Sequence, residues 1–205
     1  MINTMAIGSD KIIIQEKPDW VSWDTIHDVL WTAHASNREK GIYMSYPALP
    51  GDQIREMLEG RGKMFVALYE GKVIGTAAII KKYYSFWCGK GDYAYLCLGS
   101  VLPEYNGCGV YKKLCAIRAK VANDMGLKRF ILETHEHNSK IIKMKEKVGY
   151  FPINLKVGKE QYYIVLVKWI DNPPYSRFYC KILFCLCKYY KKLRFKPGNV
   201  KRFGI

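Results

Sequence analysis

The stretch Val101-Leu-Pro-Glu-Tyr-Asn-Gly-Cys-Gly-Val-Tyr-Lys112 restricts the fold more than any other. An extended run from Asp92 ends at Val101. A turn carrying two glycines then leads straight into an amphipathic segment, Gly107 to about Met125. A strand that hands over to a helix in this way belongs to an α/β protein. The first N–H groups of such a helix have no partner within it and point at one spot, where the helix dipole favours negative charge. Gly107 and Gly109 let the backbone approach a phosphate with no Cβ in the way, and Lys112 and Lys113 add positive charge. The competing reading is a bare helix start that happens to hold two glycines. Neither GxxxxGK[ST] nor GxGxxG is present, so the standard nucleotide signatures do not apply.

Periodicity supplies the rest of the chain. Lys11 to Gln15 reads as a short strand. Asp19 to about Arg38 reads as a helix with Trp20, Trp23, Ile26, Leu30 and Ala33 on one side. Tyr43 to Gly51 is a loop, and Asp52 to Glu59 a short helix. Lys63 to Tyr69 and Val73 to Trp87 form a hairpin about Gly71-Lys72. In the helix after the glycine turn, Val110, Leu114, Ile117, Val121 and Met125 make one stripe, and Gly126 ends it. Arg129 to Thr134 is a strand, Ser139 to Val148 a helix, and Tyr150 to Val157 pairs with Gln161 to Trp169. Asn172-Pro173-Pro174 breaks the chain before a helix from about Ser176 to Leu193. The expected class is α/β with a central mixed sheet, antiparallel at first, flanked by helices.

The chain has 205 residues, enough for one domain of residues 1–170 with an appendage of residues 171–205. No window holds 18 uninterrupted apolar residues, and the first ten residues lack the basic and apolar regions of a secretory signal. Cytoplasmic residence is the expectation. Seven cysteines, an odd number without a CxxC pair, argue against a disulfide framework or a zinc site. The formal net charge is +15, and residues 171–205 hold nine basic residues against the single acid Asp171. Such charge suits a polyanionic ligand on the body and an anionic surface at the tail.

Val-x-Pro-Glu-Tyr-Asn-Gly-x-Gly-Val, followed by a helix, a strand and Asn138-x-x-Ile-Ile-x-Met-x-Glu-Lys-x-Gly149-Tyr150, resembles the GNAT superfamily of acetyl-CoA-dependent N-acetyltransferases. The close resemblance covers residues 92–170. It implies an acyl-CoA N-acyltransferase fold with a gap between the strands ending at Val101 and near Thr134. It also implies that main-chain groups of Gly99 and Val101 pair with the pantetheine arm and polarise the thioester. The turn Asn106, Gly107, Cys108, Gly109, Val110, Tyr111 and Lys112 would hold the pyrophosphate, and Asn138 would contact the pantetheine end. Three positions depart from the family pattern: Asn106 stands for Gln or Arg, Tyr111 for Gly or Ala, and Lys145 for a tyrosine that protonates the departing thiolate. Binding through main-chain donors tolerates the first two. Lys145 lies about 40° round the helix from Ile141. It reads either as that acid or as a solvent-facing lysine.

An acceptor amine, with a pKa of about 10.4, must lose a proton before it attacks. Glu133, His135, Glu136 and His137 are the candidates; Glu133 and His135 share a strand face. Capping or solvent exposure is the alternative for each. A metal on Glu133 and His135-x-His137 is disfavoured, because the resemblance gives the segment a metal-free use. Tyr95, six residues before Val101, would orient the acceptor or a water. Cys97 lies nearby, but a cysteine nucleophile wants a close His, so direct transfer is favoured. Tyr43, Tyr46 and Trp87 would line an acceptor pocket or pack at its rim.

Tyr175, Phe178, Ile182, Cys185, Tyr189 and Leu193 form an apolar stripe beside Arg177, Lys181, Lys188 and Lys192. Residues 175–203 could lie on an anionic membrane or dock on their own domain, with nucleic acid a third option. The reading is a transferase that moves an acetyl group from acetyl-CoA to a primary amine of a small molecule. One version is an amino-sugar acetyltransferase peripheral to the inner membrane surface. The alternatives are an acyl-CoA-binding module without turnover and a membrane-surface adaptor.

Overall fold

The computed structural model describes residues 11–43, 48–158, 161–170 and 177–195. Tyr46, Tyr175, the Asn172-Pro173-Pro174 break and the tail beyond Phe195 lie outside the described residues. The elements run β1 (Ile13–Glu16), α1 (Trp23–Ala33), α2 (Ala35–Glu39), α3 (Gly51–Leu58), β2 (Gly62–Tyr69), β3 (Lys72–Phe86), β4 (Gly89–Val101), α4 (Val110–Asp124), β5 (Arg129–His135), α5 (Ser139–Lys147), β6 (Phe151–Val157), β7 (Tyr162–Trp169) and α6 (Arg177–Arg194). The strands form a seven-stranded sheet in the order β1-β2-β3-β4-β5-β7-β6, the α/β class expected. Contacts divide the chain into two units. The first holds Met1–Lys82 and Ala94–Leu127, and the second Tyr83–Tyr93 and Lys128–Ile205.

In the first unit, β1, β2 and β3 pair antiparallel, with Ile13 opposite Leu68 and Phe65 opposite Ala77. The core is made by Ile26 and Leu30 of α1, Ile54 of α3, and the continuous buried runs 64–68 of β2 and 73–80 of β3. The first helix is shorter than its periodicity predicts. Ser22 Oγ accepts the Thr25 N–H at 3.0 Å, which caps α1 at Trp23 and leaves Trp20 outside and exposed. At the other end the backbone leaves the helical region at His34 (φ −99°, ψ 7°), so α2 starts afresh. The stripe of α4 also differs. The buried positions are Val110, Leu114, Arg118 and Ala122; Ile117 and Val121 are half-buried, and Met125 is exposed. A strict spacing of four places Arg118 where an apolar residue is expected.

His34 carries a pH dependence. Burial, and second the Arg38 guanidinium, push its pKa down from 6.5 to about 4. The unfolded chain therefore binds the proton more tightly than the folded one. The neutral imidazole's contribution is complete above about pH 6.5 and is lost as the pH falls towards 4. The difference is on the order of 2–3 kcal/mol. Thermal melts of wild type and His34→Gln across that window should converge at low pH. Parallel curves would refute the assignment.

In the second unit, β7 lies between β5 and β6 and pairs antiparallel with both; Glu133 faces Val165, and Leu155 faces Ile164. The end of the β3–β4 hairpin belongs here. Tyr84, Phe86 and Tyr93 cluster with ring centroids 5.4–6.0 Å apart. Arg129 donates to the Lys90 carbonyl at 2.6 Å beside the Tyr93 ring. This explains why β4 starts at Gly89, three residues before the sequence suggests. Helix α6 packs on β6 through Cys180 and Phe184, both buried. Lys191 Nζ donates to Asn154 Oδ1 at 3.0 Å and to the Leu155 carbonyl at 2.8 Å. The helix therefore docks on its own unit. It does so through a face other than the stripe read from the sequence.

Candidate functional site

The first unit carries the glycine turn. Val101 ends β4, and the Leu102 N–H donates to the Ile74 carbonyl at 2.9 Å, fixing the chain to β3 as it leaves the sheet. Pro103–Tyr105 form one 3₁₀ turn. Gly107 (φ +89°) and Gly109 (φ +77°) both adopt the left-handed conformation that favours glycine. Gly109 is the N-cap of α4, and among the described residues no side chain caps that end. A Cβ built on either glycine meets nothing within 4 Å. Open space thus lies beside both glycines, next to the first-turn N–H groups of Val110, Tyr111 and Lys112, which no preceding helical carbonyl can serve. It fits a diphosphate, which needs converging donors and no side chain in its path. Cys108 is half-exposed between the two glycines. Lys113 points elsewhere, with Nζ on the Ile12 carbonyl at 3.4 Å.

Tyr111 stands where the resemblance implies a small residue, and its ring has room because of Gly99. A Cβ on Gly99 would lie 3.3 Å from that ring. The two unusual choices are thus complementary: the strand gives up a side chain where the helix gains one. Beneath them β4 is not regular. Leu98 has φ +52°, a left-handed value rare for a non-glycine residue inside a strand. Both carbonyls around it are held. Thr76 Oγ1 donates to Leu98 O at 2.9 Å and shares a 2.8 Å hydrogen bond with Ser100 Oγ. Arg118 Nη1 donates to Cys97 O, and Nη2 to Cys115 Sγ, each at 3.4 Å. Arg118 is buried, and its Nε has no hydrogen-bond partner among the described residues. Burial alone would lower its pKa, but the fields of Tyr111 and Cys115 raise it, so the cation persists. Nothing in the sequence pointed to Leu98, Thr76 or Arg118 as supports of the strand. The one available signal was an arginine in an apolar stripe. Tyr95 is buried in the same unit, with Lys82 Nζ 4.2 Å from its ring centroid.

The second unit holds the acid–base candidates. Glu133 is clamped by Lys156, with both carboxylate oxygens 3.0–3.3 Å from Nζ. His135 is buried, and its Nδ1 accepts the His137 backbone N–H at 3.0 Å, so in the neutral ring the proton sits on Nε2. Burial and then His137 lower its pKa, against an opposing hydrogen bond to Gln161. Glu136 lies 2.6 Å from Lys192 and 4.0 Å from Lys188. Asn138 Oδ1 accepts the Ile141 N–H at 3.4 Å, which caps α5. Lys145 is not the solvent-facing lysine of one sequence reading. It is 3% exposed, with Nζ 5.2 Å from the centroid of the Tyr150 ring. The turn of α5 that carries it folds back, and the Tyr150 N–H donates to the Lys145 carbonyl. Trp87 is exposed, with its indole N–H donating to Ile153 O at 2.8 Å, edge-on to Tyr179. Tyr43 is exposed.

Residues 23–150 match the acetyltransferase (GNAT) family. Over 121 residues the chain is 30% identical to YjgM, an uncharacterised N-acetyltransferase of Escherichia coli K12, covering 58% of this chain and 69% of that protein. A GNAT family acetyltransferase from Elizabethkingia anophelis, solved with acetyl-CoA bound, superposes with a TM-score of 0.57 at 13% identity, over 78% of this chain and 99% of the other. An aminoglycoside 6'-acetyltransferase of type Ii superposes with a TM-score of 0.59 at 18% identity, over 79% and 99% respectively. At these identities the structures bear on the fold alone.

Proposed function

The chain belongs to the acetyltransferase (GNAT) family and is an acyltransferase; from that premise we propose that it moves an acetyl group from acetyl-CoA to a primary amine of a small molecule by direct attack. The observation that carries this is the open glycine turn at the N-terminus of α4, where Gly107 and Gly109 leave converging N–H groups uncovered. In this reading Asn106 to Lys112 hold the pyrophosphate, while main-chain groups of Gly99 and Val101 pair with the pantetheine arm. The distortion at Leu98 supports that role, because it turns main-chain groups out of the regular ladder, where they can polarise a thioester carbonyl. Asn138 is the proposed contact to the pantetheine end.

The amine must shed a proton, and the departing thiolate must gain one. Glu133 is the better proposed base. Its carboxylate offers about four lone-pair sites, of which Lys156 takes only part, whereas the Nδ1 lone pair of His135 is already engaged by the His137 N–H. His135 is then a positioning residue for the turn to Asn138. Lys145, or Tyr150 beside it, is the proposed acid, and Tyr95 orients the acceptor or a water. Residues 1–170 carry this chemistry, with residues 171–205 as an appendage. Amino sugars are the first acceptors to try, since the fold serves that class in the aminoglycoside enzyme.

The test is an acetyl-CoA turnover assay against a panel of primary amines, amino sugars included, that follows release of the CoA thiol. Release that depends on an added amine is expected. Tight acetyl-CoA binding with no amine-dependent release across the panel would overturn transfer to a small-molecule amine.

A further inference from the structure

Helix α6 uses two opposite faces. Its docked face is Cys180, Phe184 and Lys191, set against β6. About half a turn round the cylinder lie Phe178, Ile182, Leu186, Tyr189 and Leu193. These large apolar side chains are exposed, four of them heavily: Phe178 73%, Tyr189 69%, Leu193 67% and Leu186 61%. The stripe runs about 22 Å along the helix at 1.5 Å per residue. A soluble surface does not normally line up apolar residues in this way. The row Lys181, Lys188 and Lys192 flanks it on one side, with Arg194 near its end. Arg177–Arg194 contain six basic residues and no acid.

We propose that α6 lies in the plane of an anionic bilayer surface, with Phe178, Ile182, Leu186, Tyr189 and Leu193 sunk into the headgroup region while Cys180 and Phe184 keep the helix fastened to β6. The inference goes beyond the transfer reaction and does not depend on it. Charge selects the occupant. A second copy of the chain would bring together two segments, each carrying nine basic residues and one acid, whereas anionic headgroups neutralise the same charge. Length selects the mode, since no helix among the described residues is long and apolar enough to cross a membrane. An apolar stripe beside a basic row, at moderate overall hydrophobicity, is what an interfacial helix requires. Lys188 and Lys192 also reach Glu136, so they hold the helix to its unit as well as flanking the stripe.

The test is co-sedimentation of the full chain with vesicles, one set of phosphatidylcholine alone and one of phosphatidylcholine and phosphatidylglycerol in roughly equal parts. Wild type should pellet with the anionic set only. Phe178→Ser with Leu186→Ser should weaken that binding by about a hundredfold, because two apolar side chains no longer leave water. Lys181→Glu should weaken it by about tenfold. Both variants change exposed positions and should keep the circular dichroism spectrum and the turnover in solution. No anionic-vesicle binding by wild type overturns the proposal. So does unchanged binding by the double-serine variant, which would mean charge adsorption without insertion. Sedimentation equilibrium supplies a further control. A wild-type dimer without vesicle binding, dispersed by the double-serine change, would assign the stripe to a second copy and overturn the membrane.

Discussion

Exchanging Gly109 for aspartate should abolish acetyl-CoA binding and leave the protein folded. Gly109 has φ +77° at the N-cap of α4. A Cβ there meets no atom within 4 Å, so bulk causes no clash within the protein. Aspartate is among the few side chains that enter the left-handed region readily, and the backbone cost is about 1 kcal/mol. It is also a good N-cap, so its carboxylate takes the first-turn N–H groups that the diphosphate would otherwise use. It adds a negative charge within a few ångströms of the phosphates, worth up to about 4 kcal/mol of repulsion at an effective dielectric of 20. Together these lower affinity by a hundredfold or more. Gly109→Ala carries the strain without the charge and should lose less than about tenfold. Calorimetry on the three proteins, with circular dichroism as the control, decides the matter. An aspartate variant that binds like wild type would remove the glycine turn from the cofactor site.

Gly75→Val should damage stability and binding together. Gly75 sits in β3 opposite Ala67, and a Cβ there would lie 2.9 Å from the Ser100 carbonyl oxygen of β4. The Val110 and Leu114 side chains of α4 are each 3.3 Å from the same point. The backbone oxygen cannot rotate away. Either β3 parts from β4, or the first turns of α4 lift. Overpacking of this kind costs about 3 kcal/mol. Val110 is the first residue of α4, so any lift moves the turn that presents the N–H groups. A lower urea midpoint accompanied by weaker acetyl-CoA binding is the expected pair, with Gly75→Ala intermediate in both. A loss of stability with full affinity would show that α4 moves independently of its phosphate turn.

The glycine turn was legible because positions 107 and 109 both take a left-handed backbone that favours glycine, and the letters say so. The strand distortion above it was not. Leucine has no preference for φ +52°, and Leu98 holds that conformation only because Thr76 and Arg118 grip the carbonyls on either side. Neither partner is near it in sequence. Arg118 also explains why the α4 stripe differs: the buried row passes through Arg118 and Ala122, and Met125, placed in the apolar stripe, is exposed. The start of α1 depended on one capping hydroxyl, Ser22, within a run whose tryptophans suggested a longer helix. Lys145 could not be placed from periodicity, because its position at the margin of the stripe left burial to the Tyr150 ring behind it. In α6 the stripe residues Phe178, Ile182, Tyr189 and Leu193 are exposed. Cys180 and Phe184 offered a second apolar face, and only the tertiary structure shows which of the two faces β6.

The docking of α6 has a consequence for where the chain can be cut. β6 is an outermost strand, the position from which sheets recruit foreign strands and aggregate. Two of its main-chain acceptors are already stoppered by side chains: Ile153 O by the Trp87 indole and Leu155 O by Lys191 of α6. A fragment ending at residue 170 would shed the second stopper together with the Cys180 and Phe184 cover, and leave a sticky border. Helix α6 therefore covers part of an open sheet edge. An engineer trimming this protein for crystallisation or fusion would do better to keep α6 and soften its outer stripe.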